Sequence, residues 1–168
     1  MYTLWTFLEV LATAGESEGF EGVEGVLNGS LQTVESRRAN TFRVEVPEIT
    51  MNGRIDDLSI VTGSSGKLLR LDMSVKAVCI TKSEVKKHFP DLYLGGRPVS
   101  PSVLGGNNVP FTYVSRIFDV PILFTYFNNS AFPDCLESIT IDYQSRIDEY
   151  GMPPPPREEA SVQESSEQ

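Results

Sequence analysis

The chain has 168 residues, of which 40% are hydrophobic and 22% are charged, a composition that suits one domain with a hydrophobic core and excludes disorder throughout. Its formal net charge of -9 and its sequence pI near 4.6 disfavour nucleic acids and anionic membranes as partners, because both attract lysine and arginine. The excess of acidic residues suits binding to a basic partner protein. The alternative is that it only keeps the protein soluble.

Residues 1–14 are largely apolar and end in an Ala-Thr-Ala triplet, which leaves two interpretations open. The triplet is typical of the end of a secretory signal, of which this stretch would be a remnant. Helical spacing of the apolar residues and the interruption by Glu9 favour an amphipathic first helix instead. No apolar run reaches the roughly 20 residues that span a bilayer. The helical interpretation rests on Leu4, Phe7, Leu8 and Leu11.

A polar break at Gly15–Gly19 separates this segment from a second predicted helix, Phe20–Leu31, whose apolar residues also recur at helical spacing. The pattern then alternates between apolar and polar residues, which predicts half-buried strands. These strands lie at 41–46, near 58–60 and at 68–75. Asn-Gly and Gly-rich turns between them predict an antiparallel meander.

The clearest local signal is the capping box Thr81-Lys82-Ser83-Glu84. Its threonine hydroxyl accepts from the Glu84 backbone N–H, and Ile80 and Val85 supply the hydrophobic staple. Pro90 cannot continue a regular helix. The sequence therefore predicts a short helix from Lys82 to Phe89.

A long loop at 93–110, rich in Gly, Pro, Ser and Asn, follows this helix. Three more strands are predicted at Phe111–Ile117, Ile122–Phe127 and Leu136–Tyr143. From Met152 the chain has only prolines and small or charged residues, which cannot build a core. We therefore expect a single α+β domain at 1–150 and a disordered Pro/Glu/Ser tail at 151–168.

The two halves of this domain repeat the order of helix, strand, strand, strand, over about 20–78 and 79–145. Such a duplication predicts one antiparallel sheet with helices packed on one face. Chance similarity of two meanders is the alternative explanation.

This element order, over roughly residues 20–143, resembles the tandem-repeat fold of the β-lactamase-inhibitor proteins and the related small outer-membrane-assembly lipoproteins. The resemblance implies a non-enzymatic protein that binds another protein. The lipoproteins' Cys-anchored N-terminus is absent here, which counts against that branch.

Few residues are of the types that usually catalyse reactions or bind metals. His88 is the only histidine, and it follows two lysines near the end of the predicted helix, where it stabilises the helix dipole. One histidine and two cysteines cannot complete a four-ligand structural zinc site. We therefore expect no catalytic residues, no metal site and no cofactor.

Cys79 and Cys135 leave the compartment open. If they form a disulfide, the protein belongs in an oxidising compartment such as a bacterial periplasm, and residues 1–14 could then be a signal remnant. If they are buried free thiols, we expect the protein to be cytoplasmic. The lack of a recognisable signal peptide in this sequence favours that alternative.

An aromatic set in the second half allows both core packing and outward binding anchors, because neighbouring residues of a strand face opposite ways. Its members are Phe111, Tyr113, Phe118, Phe124, Tyr126 and Phe127. Together with the Gly/Pro-rich loop, it gives six candidate partner-binding residues: Tyr93, Arg97, Asn107, Asn108, Tyr113 and Tyr126. The resulting hypothesis is a protein-binding protein, such as an immunity or inhibitor protein that occludes a secreted bacterial toxin through the 93–110 loop. The alternative is a small apolar-ligand-binding or envelope-associated structural module.

Overall fold

The computed structural model describes residues 3–27, 31–32, 41–44, 55, 57–75, 78–95, 110–127 and 132–151. In chain order its elements are α1 (Leu4–Leu27), β1 (Leu31–Gln32), β2 (Thr41–Val44), β3 (Asp57–Thr62), β4 (Leu68–Ser74), α2 (Lys82–His88), β5 (Tyr93–Leu94), β6 (Pro110–Ile117), β7 (Val120–Phe127), β8 (Ser138–Asp142) and a one-turn 3-10 helix (Ile147–Tyr150).

The described strands form one antiparallel sheet in the order β1-β2-β3-β4-β8-β7-β6-β5. The prediction of an α+β fold built on an antiparallel sheet is thereby confirmed. The prediction of two helix–three-strand repeats is wrong, because each helix is followed by four strands. The extra strands, β1 and β5, lie at the two sheet edges and have two residues each, too few to show an alternating pattern.

The strand register places the apolar side chains on one face, since directly opposed residues of an antiparallel pair share a face. Leu71 lies opposite Ile60 on one side and Ile141 on the other, and Ile141 lies opposite Ile122. All four are fully buried. We call this the core face.

α1 bends sharply at Gly19, which has φ 62° and ψ -140°, a conformation that only glycine adopts readily. The break predicted at Gly15–Gly19 thus falls on this bend at Gly19, which separates two helical segments of α1. The predicted second helix, Phe20–Leu31, was too long: α1 ends at Leu27, and Leu31 belongs to β1. The apolar period runs past the helix end because Leu31, in the strand that follows, is also an apolar residue type.

Both helices contact side chains of the core face. The ring of Phe20 in α1 lies 5.4 Å from that of Phe42, and the ring of Phe89, which caps α2, lies 5.2 Å from that of Phe124. The capping box is formed, with Glu84 N donating to the Thr81 hydroxyl at 3.3 Å.

A disulfide joins Cys79, before α2, to Cys135, before β8, across a Cα–Cα distance of 4.7 Å. Beside it, Leu136 N donates to the Ile80 carbonyl at 2.8 Å, so the two connections run in contact. The link ties the start of α2 to the sheet. Of the two alternatives that the sequence left open for these cysteines, the structure contains the disulfide, which hints at an oxidising compartment.

The C-terminal turn is fastened to Asp142 at the end of β8. The carboxylate of Asp142 accepts from the backbone N–H groups of Gln144 and Ser145 and from the Tyr150 hydroxyl. The 3-10 helix that ends at Tyr150 is thereby held against the sheet. Apart from Gly151, the predicted tail at 151–168 lies outside the described residues.

Candidate binding sites

The structure brings two of the six predicted partner-binding residues together. Tyr113 in β6 and Tyr126 in β7 have ring centroids 5.8 Å apart at an interplanar angle of 86°. Tyr93 lies opposite Val114 in the ladder, on the other face of the sheet, and is 41% exposed. The three remaining candidates, Arg97, Asn107 and Asn108, lie outside the described residues.

The paired tyrosines line a groove of about 420 Å³ between the start of α2 and the β6–β7 hairpin. We call it the aromatic groove; its lining residues are Thr81, Lys82, Ser83, Phe111, Tyr113, Tyr126, Pro133 and Asp134. Asp134 immediately precedes Cys135, so the disulfide supports one wall.

The ammonium group of Lys82 lies 4.4 Å from the centre of the Tyr113 ring, a cation–π contact. Lys82 is the first residue of α2, and the capping box places it there. The groove lining therefore contains one cation, Lys82, held against an aromatic ring, and one carboxylate, Asp134.

The Tyr126 hydroxyl is the only buried side-chain polar atom without a hydrogen-bond partner in the described part of the chain. Tyr126 itself is only 5% exposed. Its pKa is raised well above the usual tyrosine value, mainly by burial and further by the nearby Tyr113 and Glu84. The hydroxyl therefore stays protonated and remains a hydrogen-bond donor.

A second candidate site is the tip of the β6–β7 hairpin, where Phe118 and Asp119 form the turn. Phe118 has φ 54°, the one positive φ found among the described residues that are not glycine, and its side chain is 71% exposed. A β-carbon is unfavourable in this backbone region, where glycine or asparagine is usual. The tip thus holds an aromatic ring in water at a strained position.

Two depressions lie beside this tip. One, of about 460 Å³, is lined by Phe118 and includes Glu9, Asp91 and Arg116; the other, of about 290 Å³, includes Glu16, Lys67, Asp119 and Asp142. The two linings together contain five carboxylates, the two cations Arg116 and Lys67, and His88. Arg116 is also paired with Asp91 at 3.3 Å. The surroundings of the tip are therefore acidic.

A serine, a histidine and an aspartate lie near one of these depressions, but they do not form a nucleophile and its base. The buried Ser115 hydroxyl donates to Asp91 at 2.6 Å, and the His88 ring is stacked on Trp5 with centroids 4.3 Å apart. A catalytic serine needs its hydroxyl bonded to the base. Within the described ranges, no group of three His, Cys, Asp or Glu residues is placed to hold a metal ion.

Comparisons with family models, curated proteins and solved structures gave no match to the chain. Among the helices that the structure describes, none is both long and apolar enough to cross a membrane. The candidate sites are therefore interpreted from their geometry.

Sequence reasoning missed three residues of these sites. Lys82 and Asp134 carry no local signal, because their role depends on β6 and β7, which lie elsewhere in the chain. Phe118 belonged to the aromatic set but lies between two predicted strands, with no glycine or asparagine to mark a tight turn. The available signal was the short gap between the two predicted strands, which ended at Ile117 and resumed at Ile122.

Proposed function

We propose that this chain is a non-enzymatic protein-binding protein of the immunity or inhibitor type, which occludes the active site of a basic secreted protein such as a bacterial toxin. The observation that carries this proposal is Phe118, a strained aromatic residue with 71% of its surface exposed at the hairpin tip.

Phe118 costs the free protein stability in two ways. A residue with a β-carbon in the left-handed region costs about 1–2 kcal/mol, and its apolar ring gains little while it stays in water. Strained residues that persist in this way cluster at functional positions. Insertion of the ring into an apolar pocket of a partner would offset both costs.

The hairpin that carries Phe118 is paired along its whole length. β6 and β7 pair along all eight residues of each strand, and the disulfide-linked connection lies beside their other end. An anchor held in one geometry loses little conformational entropy on binding. This arrangement supports a role as a preformed plug, which is the mode of action expected of an occluding inhibitor.

The charge around the tip supports a basic partner. The five carboxylates in the flanking depressions complement a pocket rimmed by lysine or arginine, and the whole chain carries a net charge of -9. The disulfide supports action in the periplasm or outside the cell. The loop at 93–110 was the predicted occluding segment, but 96–109 lies outside the described residues, so the proposal now rests on the hairpin tip.

The test is to immobilise the full-length protein, capture partners from secreted and envelope proteins of its source organism, and measure the dissociation constant with each purified partner. We expect a basic partner whose affinity falls as salt is raised. The substitution Phe118→Gly removes the ring and relieves the strain, so it should weaken binding by about 30-fold or more, the loss typical of an interface hot spot.

The matched control is Phe132→Ala, since Phe132 is 72% exposed and directly precedes Pro133 of the aromatic groove, whereas the hairpin tip is at Phe118 and Asp119. It removes as much exposed apolar surface but should leave binding unchanged. If no partner is captured, or if Phe118→Gly binds as tightly as the unmodified chain, the proposal is wrong.

A further inference from the structure

We propose that the surface around the aromatic groove is the contact through which two copies of this chain form a symmetric dimer. In this dimer the Lys82 ammonium group of each copy lies against the Asp134 carboxylate of the other. The surface is separate from the hairpin tip, and the proposal holds whether or not the chain is an inhibitor.

Exposed apolar side chains are concentrated around the aromatic groove. Among the described residues, six large hydrophobic side chains are exposed, and four of them belong to this part of the surface. An exposed apolar surface of this kind usually marks an interaction site, because single scattered side chains are the norm elsewhere. We call these four the apolar patch: Val78, Leu94, Phe111 and Phe132.

Strand register places two members of the patch beside the groove. Phe111 is one of its lining residues, and Leu94 lies opposite Tyr113, another lining residue. Directly opposed residues of an antiparallel pair share a face of the sheet. Leu94 and Phe111 therefore extend the apolar wall of the groove to the sheet edge at β5.

The disulfide-linked connection brings the other two members to the same place. Phe132 directly precedes Pro133 of the lining. Val78 directly precedes Cys79, which is bonded to Cys135 across a Cα–Cα distance of 4.7 Å. The four apolar side chains thus border one groove, two from the side of the sheet and two from the side of the connection.

The charges of the groove fit a second copy of the chain. Lys82 and Asp134 both belong to the lining, and neither forms an ion pair with another described residue. The contact with the Tyr113 ring holds the Lys82 ammonium group at the groove. In a two-fold symmetric dimer, residue i of one copy meets residue j of the other, and j meets i. One cation and one carboxylate on the same surface therefore supply two ion pairs across the dimer.

The net charge of the lining also favours a second copy over the basic partner expected at the hairpin tip. Lys82 and Asp134 are its only charged members, so the lining as a whole is neutral. The depressions beside the tip are acidic instead. Because two acidic chains repel each other, contact between copies is least unfavourable at a neutral surface.

The exposed apolar area agrees with a weak, reversible dimer. From their exposed fractions, the four side chains of the patch present roughly 350 Å² per copy. A standard interface buries about 800 Å² per partner, of which a little more than half is apolar. The patch lies at the lower end of that requirement. We expect a dissociation constant of about 1–100 µM.

The test is analytical ultracentrifugation of the full-length, oxidised protein at concentrations from about 1 to 300 µM. We expect an equilibrium between monomer and dimer. Phe111→Ser should weaken dimerisation by about tenfold or more, because it removes a ring from the apolar contact. Phe118→Gly is the matched control: it removes an exposed ring from the other end of β6, about 20 Å away, and should leave the equilibrium unchanged.

Charge exchange tests whether the occupant is a second copy. In a dimer of Lys82→Glu, carboxylates meet at both ion-pair positions, and in a dimer of Asp134→Lys, ammonium groups meet there. Each variant should therefore dimerise about fivefold or more weakly than the unmodified chain. An equimolar mixture of the two should form heterodimers about as tightly as the unmodified chain dimerises, because each position then joins opposite charges. Such a recovery also shows that both variants are folded.

Three results would overturn the proposal. They are a monomer at every concentration, a Phe111→Ser variant that dimerises as tightly as the unmodified chain, and a mixture of the two charge variants that forms no heterodimer. Partner binding at the hairpin tip does not enter these measurements, so failure of either proposal leaves the other standing.

Discussion

Gly15 of α1 lies directly against the ring of Tyr143, at a position where any β-carbon would overlap the ring. The Tyr143 hydroxyl donates to the carbonyl of Leu11, one turn earlier in the same helix, at 2.7 Å. Tyr143 follows β8, the central strand that joins the two halves of the sheet. This close approach therefore holds the first helix onto the centre of the sheet.

Gly15→Ala should destabilise the protein by about 1–3 kcal/mol, the usual cost of overpacking a well-packed contact. The sign of this change in stability is informative. At a helix position where a β-carbon meets no other atoms, alanine is favoured over glycine by about 1 kcal/mol. Urea denaturation measures the free energy of unfolding. The control is Gly25→Ala in the same helix, where a β-carbon meets nothing within 4 Å, and it should be neutral or stabilising. Equal stability of both variants would show that the Tyr143 contact is absent.

Gly19→Ala should also destabilise the protein, but through the backbone. The φ of 62° and ψ of -140° that bend α1 lie in a region restricted essentially to glycine, so we expect a loss of about 1–3 kcal/mol. No neighbouring side chain is close enough to cause the effect. The same urea series measures it, with Gly25→Ala again as the control. A Gly19→Ala variant as stable as Gly25→Ala would indicate a straight helix.

Removal of the disulfide should cost about 4 kcal/mol, because the bond closes a loop with a sequence separation of 56 residues and so restricts the unfolded chain. The variant is the double substitution Cys79→Ser and Cys135→Ser, measured by thermal and urea unfolding. The reducing agent dithiothreitol should destabilise the unmodified chain by a similar amount and leave the double variant unchanged. If the reductant has no effect on the unmodified chain, the cysteines are not bonded.

Asp142 should make stability depend on acid pH. Burial alone would raise the pKa of this carboxyl, but the hydrogen bonds from Tyr150, Ser145 and Gln144 outweigh burial and hold the pKa below its usual value of 3.8. A pKa lowered on folding contributes stability above the unfolded pKa, and this contribution is lost as the pH falls through the folded value. Asp142→Asn should therefore be less stable than the unmodified chain at neutral pH.

The stability difference between the two proteins should narrow as the pH falls below about 3.8, which urea midpoints measured across this range would show. Tyr150→Phe is the companion variant, since it removes one of the three donors and should reproduce part of the effect. A difference that stays constant with pH would mean that the Asp142 carboxylate is not bonded in this way.

Much of the local structure was predictable from the sequence. The capping box at Thr81 located α2 to within one residue of its end, because a cap depends on side chains only three positions apart. Alternation located β3, β4, β6, β7 and β8, because each has one face on the core. The two-residue strands β1 and β5 were not predictable, since their hydrogen-bond partners lie elsewhere in the chain.

Of the candidate sites, the sequence indicated Tyr113 and Tyr126 as binding aromatics but not that they meet, nor that Lys82 lies over one of them. It also placed Phe118 only within a general aromatic set. The sequence by itself thus determined the α+β class, the helix caps, the strand alternation and the acidity, because these follow from residue types and short-range periods. Only the tertiary structure decided that β4 pairs with β8, that Cys79 bonds Cys135, that the Tyr126 hydroxyl lacks a partner and that Phe118 stays in water. Each of these depends on how segments far apart in the chain pack together, and no local pattern records that packing.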